Sequence, residues 1–234
     1  MRVLLIIPAH NESKSIVRVV SEIEQQGYDY IVINDGSTDD TLEICQQNRI
    51  NVINLSENLG IGGAVQAGHL FAFRNGYDID IQVDGDGQHD ISYVPILIAG
   101  VMNGADLVVG SRFLDDSHGF KSSFMRRVGI KWLSNLIYLL FRVRATDPTS
   151  GFRASGKRAI ELFCENYPSD YPEPESIAEV LRHNFQIVEV PVTMNERTEG
   201  KSSIGILDSV YYMVKVTLAI LIQASTRLTV KKDS

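Results

Sequence analysis

Residues 3–7 form an unbroken apolar run of strand length, and the spacing then changes. From residue 12 to 26 the apolar positions Ile16, Val19, Val20 and Ile23 recur every three or four residues, which is the period of a helix with one buried face. The alternation repeats down the first half. Strands are predicted over 30–33, 51–55, 79–83 and 107–109, and helices over 38–48, 62–75 and 93–103. Strand–helix units in series predict an α/β protein with a mainly parallel central sheet and helices on both faces.

After Gly110 the pattern becomes irregular. Residues 111–124 are polar and mixed, which predicts a mobile loop, and 125–141 read as a helix that is basic at its start and apolar later. Residues 146–153 look like a turn-rich connector, followed by a helix over about 156–166. The segment around Tyr171, Pro172 and Pro174 is too rich in proline for a helix to start before about Pro174, so helix is expected over 175–184. A strand over 186–190 and a loop over 191–203 complete this half.

A strongly apolar helix is predicted over 208–224, interrupted by Lys215 and Gln223. A bilayer span needs ~20 mainly apolar residues, and this run is shorter. Tyr211 and Tyr212 near its start, with Arg227, Lys231 and Lys232 after it, fit a helix lying in a membrane interface. The competing reading is a helix packed on the core or against a second copy in a homodimer.

Charge narrows the partners. A net charge of −7 argues against nucleic acid as the main partner, because duplex binding needs a basic footprint. Cys45 and Cys164 lie in apolar helical contexts without metal-ligand spacing and are expected as reduced, buried thiols. The first apolar run is too short for a signal sequence and ends at Pro8, so it reads as a buried strand.

The densest chemistry follows the strand over 79–83, where Asp84 and Asp86 stand one residue apart between Gly85 and Gly87. Two carboxylates at a strand end offer hard oxygen ligands for Mg²⁺ or Mn²⁺, and such an ion commonly holds a diphosphate as well. A polar turn would use the same residue types. Other strand ends share the character: Pro8-Ala9-His10-Asn11-Glu12 after the first strand and Asn34-Asp35-Gly36-Ser37 after the second. Asn58, Gly60, Gly62 and Gly63 lead from the third strand into a helix. Parallel strands bring such ends to one edge, so Asn11, Glu12, Asp35, Asp84 and Asp86 are expected to face one crevice. Carboxylates there suit ribose hydroxyls and base N–H donors. Ser37 and Asp39 equally suit a helix cap, and the glycines equally suit close packing at a helix start. His10, His89 and His118 are not spaced as a zinc set, and His89 reads as a turn histidine beside the acidic pair.

Taken in order, these segments, with Gln88-His89 and Gly110-Ser111-Arg112-Phe113, resemble the family 2 glycosyltransferases. Within them the chain is most similar to the dolichyl- and polyprenyl-phosphate sugar synthases. The likeness continues through residues 147–153, Glu189-Val190-Pro191-Val192, Arg197, and Gly200-Lys201-Ser202-Ser203, to about Ser203. The resemblance implies a GT-A fold, with residues 1–112 as the donor-binding half, 113–205 as the acceptor half, and a helix and basic tail over 206–234. It implies that Pro8, Ala9, Asn11, Glu12 and Asp35 hold base and ribose, with Asn58, Gly60 and Gly85 beside the donor. Asp84, Asp86 and Gln88 would hold Mg²⁺ or Mn²⁺ and the donor diphosphate. Arg112, Arg126 or Arg127, Arg197 and Lys201 would meet phosphate groups, for which guanidinium forks are suited.

Glu175 aligns with a glutamate of the family at the start of this helix. It is the expected base or acceptor-orienting group, with Asp86 as its catalytic companion and Glu173 second. The prolines around Glu173 depart from the lipid-phosphate synthases, which leaves a lipid-linked saccharide as a rival acceptor. The expected activity is therefore inverting, metal-dependent transfer of a UDP-, dTDP- or GDP-linked sugar to a polyprenyl-linked acceptor. It would occur at the cytoplasmic membrane face, through peripheral contact, in cell-surface polysaccharide or glycolipid synthesis. The alternatives are a nucleotidyltransferase, whose basic glycine-rich N-terminal loop is not matched by residues 8–12, and a non-catalytic nucleotide-sugar-binding scaffold.

Overall fold

The computed structural model describes residues 1–114, 124–195 and 206–230. Its centre is a seven-stranded sheet in the order β3-β2-β1-β4-β6-β5-β7. The strands are β1 (Val3–Ala9), β2 (Asp29–Asp35), β3 (Val52–Leu55), β4 (Ile79–Gln82), β5 (Leu107–Ser111), β6 (Arg153–Gly156) and β7 (Ile187–Pro191). The helices are α1 (Ile16–Gln25), α2 (Thr41–Gln47), α3 (Gly60–Arg74), α4 (Val94–Met102), α5 (Phe124–Phe141), α6 (Lys157–Glu165), α7 (Pro172–Arg182) and α8 (Ile206–Val230).

β1 shows why the first apolar run has no polar alternation. Leu5 and Ile7 pack with Ile16, Val19 and Ile23 of α1 on one face. Leu4 and Ile6 pack with Ala64 and Ala72 of α3 on the other. A strand buried on both faces has no position for a polar side chain. A third cluster joins β5 to α5, α7 and α8 through Leu107, Val109, Ile137, Ile177, Val216 and Ile220.

β1, β2, β3 and β4 are parallel, with Ala9 opposite Asn34, Asp35 opposite Leu55 and Ile6 opposite Gln82. Their carboxyl ends therefore emerge along one edge. β1 lies between β2 and β4, so the crossovers leave it in opposite directions, and such a switch point opens a crevice.

The expected connector over 146–153 gives way to a strand. β6 begins at Arg153 and lies antiparallel between β4 and β5. Its sequence, Arg153-Ala154-Ser155-Gly156, carries no apolar run, although all four residues are buried. The Arg153 guanidinium donates to the carbonyls of Ser150 and Glu173 (2.9 Å each) and to Ser176 Oγ (2.7 Å), which satisfies its polar atoms inside the sheet. α7 starts at Pro172, earlier than expected. Its prolines occupy the first turn, where no backbone N–H has an intrahelical partner. α8 runs past Ala224, and there Ser225 and Thr226 turn their hydroxyls onto the carbonyls of Ile222 (2.7 Å) and Gln223 (2.8 Å).

α1 and α2 start later than their periodicity predicts, because the residues before them are committed elsewhere. Glu12 N–H donates to Thr41 Oγ1 (2.8 Å) and Ser13 N–H to Asp39 (3.2 Å). The Asn11 side-chain carbonyl accepts from the N–H groups of Thr38 (2.8 Å) and Asp39 (3.2 Å). The loop after β1 is thereby sewn to the loop after β2, and Glu12 is kept out of the helix.

α3 crosses β1 at close range. A Cβ on Gly68 would lie 2.2 Å from Ile6 Cγ2. Gly68→Ala should gain about 1 kcal/mol in helix propensity and lose about 1–3 kcal/mol to overpacking, so the urea midpoint should fall. An unchanged or raised midpoint would show that α3 can lift from the sheet at no cost.

Candidate active site

A cleft of about 250 Å³ opens at the carboxyl ends of β1 and β4. Pro8, Ala9, His10 and Glu12 form one wall, and Asp84, Gly85 and Asp86 another. Asp35 and the start of α3, through Ile61 and Ala64, line the side towards β2, and Glu173 of α7 reaches in from the second half. The expected convergence of Glu12, Asp35, Asp84 and Asp86 is observed.

Each acidic group has a visible means of support. Asp35 Oδ1 accepts the Leu59 N–H at 2.7 Å. Glu12 accepts a hydrogen bond from Ser15 Oγ (2.7 Å), and Asp86 Oδ1 accepts the Gln88 N–H (2.9 Å). Below Asp84 lies His89, 3% exposed and stacked on Phe152 with ring centroids 4.7 Å apart. The Asp84 N–H donates to His89 Nδ1 at 3.0 Å, so that nitrogen carries no proton. Burial also pushes the imidazole below its ordinary pKa, against the pull of Asp84 and Asp86. The turn histidine of the sequence is thus a buried brace for the acidic strand end.

The fit of a divalent cation can be judged from the donor set. The Asp84 side chain keeps 35% of its exposure. A Cβ on Gly151 would sit 3.4 Å from Asp84 Oδ1, so the glycine leaves room beside the carboxylate. Among the described residues no group of three or more His, Cys, Asp or Glu could by itself hold a metal ion. Two carboxylates in an open cleft fit a hard cation that takes its other ligands from a diphosphate and water, as Mg²⁺ commonly does. Gln88 contributes its backbone to Asp86 and, with its carbonyl, accepts the Asn195 N–H (2.9 Å).

Other candidates take supporting positions. Asn11, with φ of 60°, clamps the β2–α2 loop rather than lining the cleft. The Asp35 carbonyl accepts from His10 Nδ1 at 2.8 Å, and Asn58 Nδ2 approaches the same ring at 3.2 Å. Gly60 takes a left-handed φ of 77°, and Gly62 gives way to the carbonyls of Pro168 and Ser169, both 2.3 Å from where a Cβ would be. The glycine run therefore serves packing, while its neighbours Ile61 and Ala64 supply the apolar wall. Sequence reading passed over that pair because helix periodicity explains apolar residues equally well.

Arg112 is buried, and one edge of its guanidinium grips Asp147: Nε to Oδ2 at 2.6 Å and Nη2 to Oδ1 at 2.7 Å. Asp147 is itself fixed, since its N–H and that of Thr146 donate to the Glu189 carboxylate (2.8 and 2.7 Å). Arg126 and Arg127 lie exposed at the start of α5. Arg197, Lys201 and His118 lie outside the described residues.

The two glutamates in the first turn of α7 part company. Glu173 lines the cleft, whereas Glu175 has Asp170 and Lys215 as its charged neighbours. Burial pushes the Glu173 carboxyl above the ordinary range, offset only in part by Arg153. Arg153 holds this end of α7 through the Glu173 carbonyl and Ser176.

A carboxyl raised by burial is costly to ionise, so Glu173 lowers stability once the pH exceeds its unfolded-state value. Glu173→Gln should raise the Tm of the metal-free protein at pH 7.5. The gain should fade as the pH falls through the ordinary carboxylate range, where both states hold the proton. A pH-independent change would place Glu173 in solvent. Asp147→Ala leaves Arg112 buried without its main counter-charge and should cost about 3–5 kcal/mol in urea unfolding. A loss below about 1 kcal/mol would mean the pair is wet.

Comparison with known proteins meets this geometry. Residues 4–162 match the family described as glycosyl transferase family 2. A UDP-N-acetylglucosamine–dolichyl-phosphate N-acetylglucosaminyltransferase of Methanococcus voltae is 32% identical over 211 residues, covering 81% of this chain and 84% of the relative. An undecaprenyl-phosphate mannosyltransferase of Micrococcus luteus is 30% identical over 216 residues, with 88% of each chain covered. In structure, the chain is similar to glucosyl-3-phosphoglycerate synthase of Mycobacterium tuberculosis in complex with UDP. The TM-score is 0.69 at 19% identity, covering 96% of this chain and 80% of that one, which carries the GT-A fold. An acidic strand end in a cleft, on this fold and with this family match, has one reading: the chain is a glycosyltransferase and belongs to glycosyl transferase family 2.

Proposed function

We propose that this enzyme moves a sugar, with inversion, from a nucleoside-diphosphate sugar to a polyprenyl-linked acceptor at the cytoplasmic face of a membrane. The product would feed cell-surface polysaccharide or glycolipid synthesis. The observation that carries the reading is that Asp84 and Asp86 line one cleft with Glu173, Pro8, Ala9, Glu12 and Asp35. The relatives named for dolichyl- and undecaprenyl-phosphate transfer support the acceptor class. The solved neighbour in complex with Mn²⁺ and UDP supports a divalent ion and a nucleotide donor.

In this reading residues 1–112 bind the donor and 113–205 face the acceptor. Pro8, Ala9, Glu12 and Asp35 receive base and ribose, with Asn11, Asn58 and Gly60 shaping their loops. Asp84 and Asp86, with Gln88 beside them, would hold Mg²⁺ or Mn²⁺, and that ion would supply positive charge against the departing diphosphate. His89 keeps the Asp84 backbone fixed while that charge develops. Arg112, oriented by Asp147, and Arg127, Arg197 and Lys201 meet phosphate oxygens of donor or acceptor.

Glu173 replaces Glu175 as the carboxylate facing the acceptor, because it is the one in the cleft. Its raised affinity for protons suits a general base. A phosphate acceptor is already anionic and needs no base, whereas a saccharide hydroxyl must lose a proton. Intact acidic groups around one cleft weigh against a non-catalytic scaffold, and the family match against a nucleotidyltransferase.

The test offers UDP-, dTDP- and GDP-sugars with Mn²⁺ or Mg²⁺, and either a polyprenyl phosphate or a polyprenyl-linked saccharide, while released nucleoside diphosphate is read. One donor should turn over, and Asp86→Ala should lower that rate by about 10²-fold or more. Glu173→Gln should lower kcat by about 10²–10⁴-fold on a hydroxyl acceptor and leave a phosphate acceptor within about tenfold. Turnover that survives Asp86→Ala would refute the assignment of the acidic pair.

A further inference from the structure

β4 ends in a residue that the packing of the sheet does not explain. The strand is buried along its whole length, and Ile79 and Ile81 join the apolar cluster that holds Ile16 and Ile23 of α1. Gln82 is 2% exposed, and its side-chain carbonyl Oε1 has no hydrogen-bond partner among the described residues. A buried carbonyl without a donor lowers stability, whereas an apolar side chain of similar size would not. Arg153 stands opposite Gln82 on β6, but its guanidinium is engaged with Ser150, Glu173 and Ser176.

The other end of the amide shows a use. Gln82 Nε2 lies 3.5 Å from Asp84 Oδ1. An ionised carboxylate only accepts hydrogen bonds, so it takes the NH2 end of the amide and leaves Oε1 inside. The second oxygen of Asp84 has a donor as well. His89 Nδ1 receives the Asp84 N–H, so the ring proton sits on Nε2, which lies 3.5 Å from Asp84 Oδ2. A carboxylate with 35% of its exposure thus has one buried N–H donor at each oxygen.

Both contacts are about 0.5 Å longer than a settled N–H···O bond. They draw little charge from the oxygens, which keep it for a cation. They still favour one rotation of the carboxylate about its terminal torsion, which is broad when nothing holds it. Gly151 clears the space in which these groups meet. A Cβ there would lie 3.0 Å from Gln82 Nε2 and 3.4 and 3.6 Å from the two Asp84 oxygens.

We propose that Gln82 is a positioning residue for the metal site: its amide, with His89 at the other oxygen, fixes the rotation of the Asp84 carboxylate so that its remaining lone pairs meet the cation. The inference rests on the reading of Asp84 as a metal ligand under the proposed function. Groups that orient a ligand act on affinity for the ion, and their loss typically lowers it about 10–100-fold.

The test reads metal binding rather than turnover. Mn²⁺ is titrated into the full chain with saturating UDP, dTDP or GDP. Mn²⁺ held by the protein is followed through water-proton relaxation, which separates it from Mn²⁺ on free nucleotide. Nucleotide affinity in chelator and the Tm of the metal-free protein are measured beside it. Gln82→Met keeps the length of the side chain and removes the amide. Gln82→Asn keeps the amide but draws it back by one methylene. Each should lower Mn²⁺ affinity by about tenfold or more and leave nucleotide affinity in chelator within about twofold. Gln82→Met should hold or raise the Tm, because an unpartnered carbonyl leaves the interior.

Mn²⁺ affinity within about twofold of wild type in the folded variants overturns the proposal. So does a loss of the same size in chelator with a lowered Tm, since the amide would then only support the strand end. Wild-type protein that holds no Mn²⁺ with any of the three nucleotides would strike the proposed metal site, and this inference with it. Uptake by wild type that both variants keep would strike this inference alone.

Discussion

Like charges do not share a small cleft unaided, and the site brings Glu12, Asp35, Asp84, Asp86 and Glu173 to one. Much of the surrounding architecture can be understood as what holds them there. Backbone N–H groups of Leu59 and Gln88 donate to Asp35 and Asp86. His89, buried and unprotonated at Nδ1, takes the Asp84 N–H and stacks on Phe152. Arg153 ties α7 to the middle of the sheet and so sets the depth to which Glu173 enters. A divalent cation bound with a diphosphate would relieve the repulsion that remains, so the donor set suits a cation and an anion together.

A second layer lies behind that one. Glu189 on β7 receives the N–H groups of Thr146 and Asp147, and Asp147 grips Arg112 after β5. This chain of acid, backbone and base crosses the antiparallel part of the sheet, where β6 divides β4 from β5. It fixes a guanidinium within electrostatic reach of His89 and Glu173. The proposed role of Arg112 at phosphate oxygens needs a group fixed beforehand, and a buried two-point contact with Asp147 fixes it.

How much of this could be read in the sequence depends on how local each signal was. The parallel half was legible because Val3 to Ile7 and the helices beside it follow hydrophobic periods, and because Pro8 to Glu12, Asp35 and Asp84 to Asp86 each stand at a strand end. β6 was not legible: Arg153 and Ser155 are polar, and the burial of Arg153 depends on partners from α7 and a neighbouring loop. The order of the two glutamates was hidden for a similar reason. Glu173 and Glu175 lie two positions apart in the same helical turn, and only the tertiary placing of α7, tied to Arg153 of β6, decides which enters the cleft. Asn11 looked like a ligand-binding group, yet its amide carbonyl serves the N–H groups of Thr38 and Asp39.

The central claim is that Asp84 and Asp86 bind a metal ion only in company with a diphosphate. Calorimetric titration of UDP, dTDP and GDP into the protein, with Mn²⁺ and with chelator, tests it most directly. One nucleotide should bind with Mn²⁺ and lose at least about tenfold in affinity in chelator, and Mn²⁺ alone should bind weakly. Nucleotide affinity that is the same in chelator would contradict the account, because the carboxylates would then face the diphosphate with nothing between them.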